Sequence, residues 1–327
     1  MKKWTGEDVL TLARTFQSAC ALFAAVELGL FDALATPATA EALAAKAGTE
    51  PRATSALLDA LAAMELLEKR GDDFALAPGV ADILVRGGSS CVTSATLNQS
   101  RLLGRWSQLA ESVKTGKPVK TISADTMADR TIFIEAMNEQ SRLLTKPMID
   151  ALQPLRFTHF LDVGGASGSW TIAFLRAAPE ARATLFDVPV VVPGADKRLR
   201  EEGLRDRVTL VAGNYYEDAL PAGADLAWVS AVVHQNSRAQ NRDLFAKVFA
   251  SLVSGGSIVI RDVVMDSART APLEGALFAV SMLLVTTRGG VFTFDELAED
   301  LRLAGFDKPE LVRRGELMDS LVRARKP

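Results

Sequence analysis

Residues 160–168 read FLDVGGASG, and this stretch decides the fold of the chain. Its first four residues form an apolar run typical of a buried strand, and the glycines predict a tight turn into a helix beginning near Ser169. A second apolar run, residues 184–189 (TLFDVP), follows the helix and carries Asp187. Strand, glycine turn, helix, strand and acid are the plan of a nucleoside-binding crevice in a doubly wound α/β sheet.

The glycine loop predicts a cofactor site. Glycines at 164, 165 and 168 would let a ligand approach the backbone, and the helix start offers free N–H groups to an anionic group. Asp187 lies about 20 residues beyond the loop, where an acid accepts hydrogen bonds from ribose hydroxyls. An ordinary strand–helix turn with chance glycines is the alternative, and the position of Asp187 argues against it.

The loop also narrows the ligand. A dinucleotide fingerprint that starts at Gly164 needs glycine at positions 166 and 169, which are Ala166 and Ser169 here. The lysine of a phosphate-binding loop is absent as well. A ligand with a ribose and a carboxylate but no phosphate fits better, and S-adenosylmethionine is such a ligand.

Short apolar runs alternate with helical segments over residues 151–327, which predicts a parallel α/β sheet. The predicted strands are Phe160–Val163, Ala183–Asp187, Val208–Ala212, Leu226–Val232 and Ser257–Val264, with Glu310–Arg313 and Ser320–Arg323 as two weaker strands.

The first 100 residues have a mostly helical pattern. Apolar residues recur at helix spacing from Val9 to Phe23, and further helices are predicted over 40–47 and from Pro51 to about Leu67. A hairpin turning on Gly71-Asp72 follows, so that these elements together predict a winged-helix module. A DNA-binding regulator is the sharper alternative, but the second helix lacks the basic and amide side chains that grip DNA. A structural or dimerising module is favoured.

The composition of the chain argues against several classes of protein. The 327 residues carry a formal net charge of −3, which gives no electrostatic case for nucleic acid or an anionic membrane as partner. No apolar run approaches the length of a membrane span, and the first eight residues lack the apolar core of a signal peptide. The two cysteines, Cys20 and Cys91, are expected to be reduced, so we expect a cytoplasmic protein.

Ligands in doubly wound sheets bind beyond the carboxyl ends of the strands. Polar residues or glycines follow the predicted strands at these ends: residues 213–216, Ser230, residues 234–236 and Asp262, in addition to the glycine loop and Asp187. His234 could take a proton from a weakly acidic hydroxyl, and Asp262 could orient its ring. Taken alone, each could instead be structural.

These residues resemble the S-adenosylmethionine-dependent O-methyltransferases that have an N-terminal winged-helix dimerisation domain and act on plant phenylpropanoids and bacterial aromatic natural products. The resemblance covers nearly the whole chain. Residues 21–34 resemble the dimerisation segment of the family, and residues 57–67 resemble its winged-helix core. In the second half, residues 161–168, 186–189, 213–215, 231–236 and 255–256 match in order and spacing.

The resemblance implies a role for each matching residue. The cofactor would be S-adenosyl-L-methionine, leaving as S-adenosyl-L-homocysteine, with no metal. Its implied contacts are Gly164, Gly165, Gly168, Asp187, Val188, Gly213, Asn214, Tyr215, Ser230 and Gln235. His234 would be the general base supported by Asp262, and the substrate pocket would draw on Trp106, Phe133, Met137, Phe278, Met282 and Leu283.

The resemblance also implies the organisation of the chain. Residues 1–100 would form the winged-helix dimerisation domain of a homodimer, 101–150 a helical connector to the substrate pocket, and 151–327 the seven-stranded methyltransferase domain. The substrate would be a small molecule with a phenolic or enolic hydroxyl.

The chain departs from the family pattern at three positions. Gln235 stands where the family has an acid after the histidine, and Asn214 where an acid is common. A second supporting acid after Gly289-Gly290 is replaced by Val291 or Phe292. The alternative is therefore another reaction on the same scaffold: N- or C-methylation, or cofactor-assisted hydroxylation, decarboxylation or cyclisation.

Overall fold

The structure, a computed structural model, describes residues 2–119 and 127–327. The chain divides into two compact units, one of residues 1–104 and 123–140, the other of residues 105–122 and 141–327. The proposed boundaries at 100 and 150 stay a prediction.

The first unit is helical with a small sheet. Its elements in chain order are α1 (Gly6–Arg14), α2 (Phe16–Glu27), α3 (Leu30–Ala33), β1 (Ala38–Thr39), α4 (Ala40–Ala47), α5 (Pro51–Ala63), β2 (Leu67–Arg70), β3 (Asp73–Leu76), α6 (Val80–Leu84) and α7 (Thr93–Trp106), which ends in the second unit. The antiparallel sheet has the order β1-β3-β2, so the predicted hairpin is confirmed and gains a third strand.

Two expectations for this unit are wrong in detail. The helix from Pro51 ends at Ala63 instead of continuing to Leu67, because Glu65 adopts a left-handed φ of 60° and the chain then turns into β2. The apolar run from Val9 to Phe23 forms two helices that meet at Thr15, and Val9, Leu12 and Phe16 are exposed.

Among the described residues, one helical stretch, Gly6–Glu27, is long and apolar enough to cross a membrane, judged by length and composition alone. The unit's core lies around Phe31, Leu58 and Phe74, all of which are buried, and the end of the Gly6–Glu27 stretch contributes Ala25 and Val26 to it.

The second unit contains the large sheet. Its elements in chain order are α8 (Leu109–Thr115), the end of α9 (Met127–Ala151), β4 (His159–Val163), α10 (Ser169–Ala177), β5 (Arg182–Asp187), α11 (Val192–Glu201), β6 (Val208–Ala212), β7 (Ala224–Ser230), α12 (Arg238–Ser251), β8 (Leu252–Asp262), β9 (Val264–Met265), α13 (Leu273–Val285), β10 (Phe292–Thr293), α14 (Phe294–Leu303), β11 (Asp307–Arg313) and β12 (Ser320–Arg325).

All seven predicted strands occur, in the order β11-β12-β8-β7-β4-β5-β6. The five strands from β8 to β6 are parallel, and β12 is antiparallel to both of its neighbours. β7 ends at Ser230 instead of Val232, because Ala231 has a left-handed φ of 56°. β8 begins at Leu252 and ends at Asp262, and Val264 belongs to the separate strand β9.

Apolar clusters cover both faces of this sheet. One contains Phe160, Trp170 and Trp228, and the other contains Val229, Phe245 and Phe306. A parallel sheet covered on both faces leaves its strand ends as the place for polar chemistry. The carboxyl ends of β4, β5, β6, β7 and β8 therefore define the edge at which a ligand is expected to bind.

Candidate active site

The glycine loop and Asp187 form one hydrogen-bonded corner. The backbone N–H of Ala166 donates to Oδ2 of Asp187 at 2.7 Å, and that of Val188 donates to Oδ1 at 2.7 Å. Burial raises the pKa of Asp187, and these two bonds oppose the rise. Asp187, whose carboxylate the backbone orients, lies at the end of β5, as a ribose-binding acid requires.

The backbone conformation of this loop explains why it contains glycines. Gly164 and Gly168 have φ values of 72° and 80°, in the left-handed region that favours glycine. A Cβ at position 165 would lie 2.5 Å from Cγ of Leu185, so the loop passes directly over the neighbouring strand. Ala166 also has a positive φ, of 48°, which is strained for a residue with a side chain.

A buried acid ties the loop to the helix behind it. Oδ2 of Asp162 accepts hydrogen bonds from the backbone N–H of Thr171 at 3.1 Å and from its hydroxyl at 2.7 Å. Burial raises the pKa of Asp162 to about 7, and the two bonds from Thr171 act in the opposite direction. Asp162, which is buried, therefore holds the start of α10 against the end of β4.

The loop after β6 carries the residues predicted to flank adenine. A Cβ at Gly213 would lie 2.6 Å from the ring of Phe186, so only glycine fits there. The backbone N–H of Asn214 donates to Asp218 at 2.7 Å, and its side chain accepts from the backbone N–H of Tyr216 at 3.1 Å. The rings of Tyr215 and Tyr216 lie 4.4 Å apart.

Ser230 ends β7 next to a buried arginine. Nε of Arg261 donates to the Ser230 hydroxyl at 2.7 Å, and its guanidinium also donates to the carbonyl of Met318 at 2.6 Å. The guanidinium lies 4.9 Å from the ring centre of Trp170. Burial lowers the pKa of Arg261 to about 10. Arg261 directly precedes Asp262, but no pattern in the sequence pointed to its role at this strand end.

His234 and Asp262 meet at the ends of β7 and β8. Nδ1 of His234 lies 2.9 Å from Oδ1 and 3.0 Å from Oδ2 of Asp262, and both residues are buried. The carboxylate also accepts the backbone N–H of Val263 at 2.8 Å. A carboxylate on Nδ1 fixes the ring's tautomer and leaves Nε2 as the atom that can take a proton.

The backbone of His234 is held from a second side. Its carbonyl accepts the N–H of Gly290 at 2.9 Å. A Cβ at Gly289 would lie 2.4 Å from that same carbonyl oxygen, so position 289 requires glycine. Gly289 and Gly290 therefore support the backbone of His234, a role that the sequence did not reveal.

At the positions where the family has acids, this chain has Gln235 and Val291 or Phe292, and the ring of His234 has an apolar neighbour. The ring of Phe278 meets the imidazole edge-to-face at 5.0 Å. Val291 belongs to a small buried cluster that Phe278 packs against, whereas Phe292 lies in the main core. Gln235 is exposed and donates to the carbonyl of Ala231 at 3.2 Å. Asp262 is the one acid paired with the histidine within the described ranges.

The predicted substrate-pocket residues belong to both units. Phe278, Met282 and Leu283 lie on α13 and Trp106 ends α7, all within the second unit. Phe133, which is exposed, and Met137, which is half-buried, lie on the part of α9 in the first unit. Phe278 contacts the histidine ring, and for all six residues a role in the substrate pocket stays a prediction.

The described side chains at the site do not form a set of metal ligands. The part of the chain that the structure describes contains no group of three or more His, Cys, Asp or Glu side chains that could hold one. The glycine loop, the carboxylate of Asp187 and the aromatic loop after β6 suit a nucleoside joined to an amino acid, so the residues present fit S-adenosylmethionine.

Two family models match the chain. An O-methyltransferase dimerisation domain matches residues 10–90, and an O-methyltransferase domain matches residues 106–307. The second match alone covers more than half of the chain and includes the carboxyl ends of β4, β5, β6, β7 and β8.

Relatives match over most of their length. The tetracenomycin polyketide synthesis 8-O-methyl transferase TcmO of Streptomyces glaucescens is 32% identical, with 91% of each chain covered. The 3-hydroxy-5-methyl-1-naphthoate 3-O-methyltransferase of Streptomyces sahachiroi is 30% identical over 89% of this chain and 87% of its own.

A solved structure shares the fold. Human N-acetylserotonin methyltransferase, crystallised with S-adenosylmethionine, superposes with a TM-score of 0.89 at 24% identity and covers 99% of both chains. With its dimerisation domain, its seven-stranded sheet and its cofactor loops, the chain belongs to the S-adenosylmethionine-dependent O-methyltransferase family.

Proposed function

We propose that the enzyme methylates a phenolic or enolic hydroxyl of a small aromatic, natural-product-like substrate, with His234 as general base. The observation that carries this proposal is the His234–Asp262 pair, with Nδ1 held at 2.9 Å and the ring buried at the cofactor edge of the sheet.

Bound S-adenosylmethionine supplies a sulfonium methyl group to a nucleophile. Nε2 of His234 takes the hydroxyl proton as the acceptor oxygen forms its bond to the methyl carbon, and the electron pair of the broken S–CH3 bond stays on sulfur. Asp262 stabilises the resulting imidazolium. The protein's further contribution is to hold both reactants at attack distance in a site with little water.

The surroundings of His234 favour an acidic, aromatic acceptor. The Phe278 ring and the Val291 cluster present apolar surface beside the imidazole, which suits a flat aromatic substrate. A base supported by a single carboxylate suits a hydroxyl with a pKa near 10, as in phenols, better than an aliphatic alcohol. The names of the two Streptomyces relatives likewise specify methyl transfer to oxygen, one of them on a hydroxynaphthoate.

The test is methyl transfer from labelled S-adenosylmethionine to a matched panel: 1-naphthol, phenol, benzyl alcohol and aniline. We expect transfer to the first two and a loss of about 10²-fold or more in His234→Gln, with cofactor binding retained. Transfer unaffected by that substitution would remove His234 as base. Transfer to aniline alone would instead assign N-methylation.

The dimerisation domain supports a homodimer, and we propose that the exposed apolar residues of α1 and α2 form its interface. Val9, Leu10, Leu12 and Phe16 are each more than half exposed in the single chain. We also propose a cytoplasmic enzyme without a nucleic-acid or membrane partner. Light scattering should give twice the 35.0 kDa chain mass, falling to the monomer in Leu12→Glu.

A further inference from the structure

We propose that Tyr216 is a positioning residue which, through Asn236, couples the cofactor-binding loop after β6 to the segment that carries His234. The inference rests on the proposed role of His234 as base. The sequence pattern placed both residues at the ligand-binding edge of the sheet, but neither that pattern nor the family resemblance gave either residue a role of its own.

A direct hydrogen bond joins the two loops. The hydroxyl of Tyr216 donates to Oδ1 of Asn236 at 2.5 Å. Tyr216 is 48% exposed, whereas Asn236 is fully buried two residues after His234. A buried amide whose oxygen is satisfied by a side chain from another loop ties the position of one loop to that of the other.

The connection continues to the backbone beside the histidine. Nδ2 of Asn236 donates to Oδ1 of Asn241 at 3.0 Å, and Nδ2 of Asn241 donates to the carbonyl of Val233 at 3.1 Å. Asn241 is also fully buried and lies on α12. The chain of bonds therefore runs without a break from Tyr216 to the peptide that precedes His234.

The other end of the connection is the adenine side of the cofactor site. The ring of Tyr215, a predicted adenine neighbour, lies 4.4 Å from that of Tyr216, and the carbonyl of Tyr215 accepts from Lys247 at 2.7 Å. Burial and its hydrogen bond to Tyr216 raise the pKa of Tyr215. A nucleoside that packs on this tyrosine pair would restrain Tyr216 and, through it, Asn236.

The three restraints on the histidine segment differ in origin. Asp262 holds the ring from β8, Gly290 holds the carbonyl of His234, and Asn241 holds the carbonyl of Val233. The last of these is the one joined to the cofactor loop. Occupancy by the nucleoside thereby favours the orientation of His234 that the reaction requires.

The experiment uses the full chain and the fact that it contains only two histidines. Protein labelled with nitrogen-15 at histidine gives two sets of imidazole signals, and His234→Ala assigns them. The probe is adenosine, which occupies the nucleoside part of the site and lacks the sulfur arm. In wild type, saturating adenosine should shift the His234 ring signals, while those of His159, at the start of β4, stay in place.

Tyr216→Phe deletes the hydroxyl and keeps the ring. It should reduce the adenosine-induced shift at least about threefold, with adenosine affinity within about threefold of wild type, the scale of one hydrogen bond. Asn236→Ala should have the same effect, and the double variant should lose nothing further. Arg302→Gln, an exposed residue on α14, serves as the control and should respond as wild type does.

Catalysis gives a separate readout. Tyr216→Phe should lower kcat about fivefold to tenfold and leave the acceptor KM within about twofold, because orientation of the base and not acceptor binding is changed. The inference is overturned if wild-type His234 does not respond to adenosine, or if Tyr216→Phe responds fully. Either result can occur with His234→Gln inactive, so the coupling can fail while the proposed function stands. If Asn236→Ala does not fold, the response of Tyr216→Phe decides alone.

Discussion

Nε of Arg261 donates a 2.7 Å hydrogen bond to the hydroxyl of Ser230, so the serine predicted to face the cofactor is held by a buried cation. No ion pair of Arg261 occurs in the ranges that the structure describes. Its direct contacts are therefore neutral acceptors and the ring of Trp170, while Asp262 and Asp319 favour the charged form from a greater distance.

Removing that acceptor should lower stability. Ser230→Ala leaves one N–H of a buried guanidinium without a partner, and we expect the free energy of unfolding to fall by about 1–3 kcal/mol. Urea unfolding measures it, with the exposed Ser267→Ala as control. Equal midpoints for the two variants would show that the bond does not contribute to stability.

Asp262→Asn should slow the reaction and leave the affinity for the cofactor unchanged. The amide places an N–H where His234 Nδ1 needs an acceptor, which favours the wrong ring tautomer, and we expect kcat to fall by about 10²-fold or more. Calorimetry with S-adenosylhomocysteine should give a dissociation constant within about threefold of wild type. The exposed Asp243→Asn on α12 is the matched control, and an Asp262→Asn enzyme as active as this control would contradict the assignment.

Gly289→Ala should displace His234, the proposed general base. The new Cβ would lie 2.4 Å from the His234 carbonyl oxygen and 2.7 Å from Oγ1 of Thr286. We expect kcat to fall about tenfold or more, because small displacements of a reacting group lower the reaction rate strongly. Gly290→Ala keeps its N–H and meets no atom within 4 Å, so it should retain most activity. Similar rates for the two variants would remove steric support of His234 as the reason for Gly289.

Stability should depend on pH through Asp162. Its pKa is about 7 in the folded chain against 3.8 normally, so between these values the folded state holds a proton that the unfolded state has released. The free energy of unfolding therefore decreases as pH rises from about 4 to 7, by up to about 4 kcal/mol. Asp162→Asn can still accept from Thr171 and should remove this dependence. Parallel curves for both proteins in urea titrations at several pH values would refute it.

The apolar pattern predicted the sheet well because parallel strands are buried on both faces. Every predicted strand occurs, and the errors lie at ends such as Val232 and Leu67, where Ala231 and Glu65 turn the chain through left-handed conformations that their residue types do not signal. Strand-end position likewise predicted His234 beside Asp262.

The support around the site could not be predicted in the same way. The bonds of Arg261 to Ser230, of Gly290 to His234 and of Tyr216 to Asn236 join residues from 20 to 56 positions apart. Local pattern carries no information about such pairs, and only the packing of the strands and loops brings them together.

Both oxygens of Asp187 accept a backbone N–H, one from Ala166 and one from Val188. A shorter side chain at position 187 would release two donors at the corner that is predicted to bind the ribose. A cofactor analogue whose sugar carries an acceptor in place of a hydroxyl would then meet N–H groups instead of a carboxylate. A substitution at this corner is therefore expected to shift the preference of the enzyme from natural S-adenosylmethionine towards such an analogue.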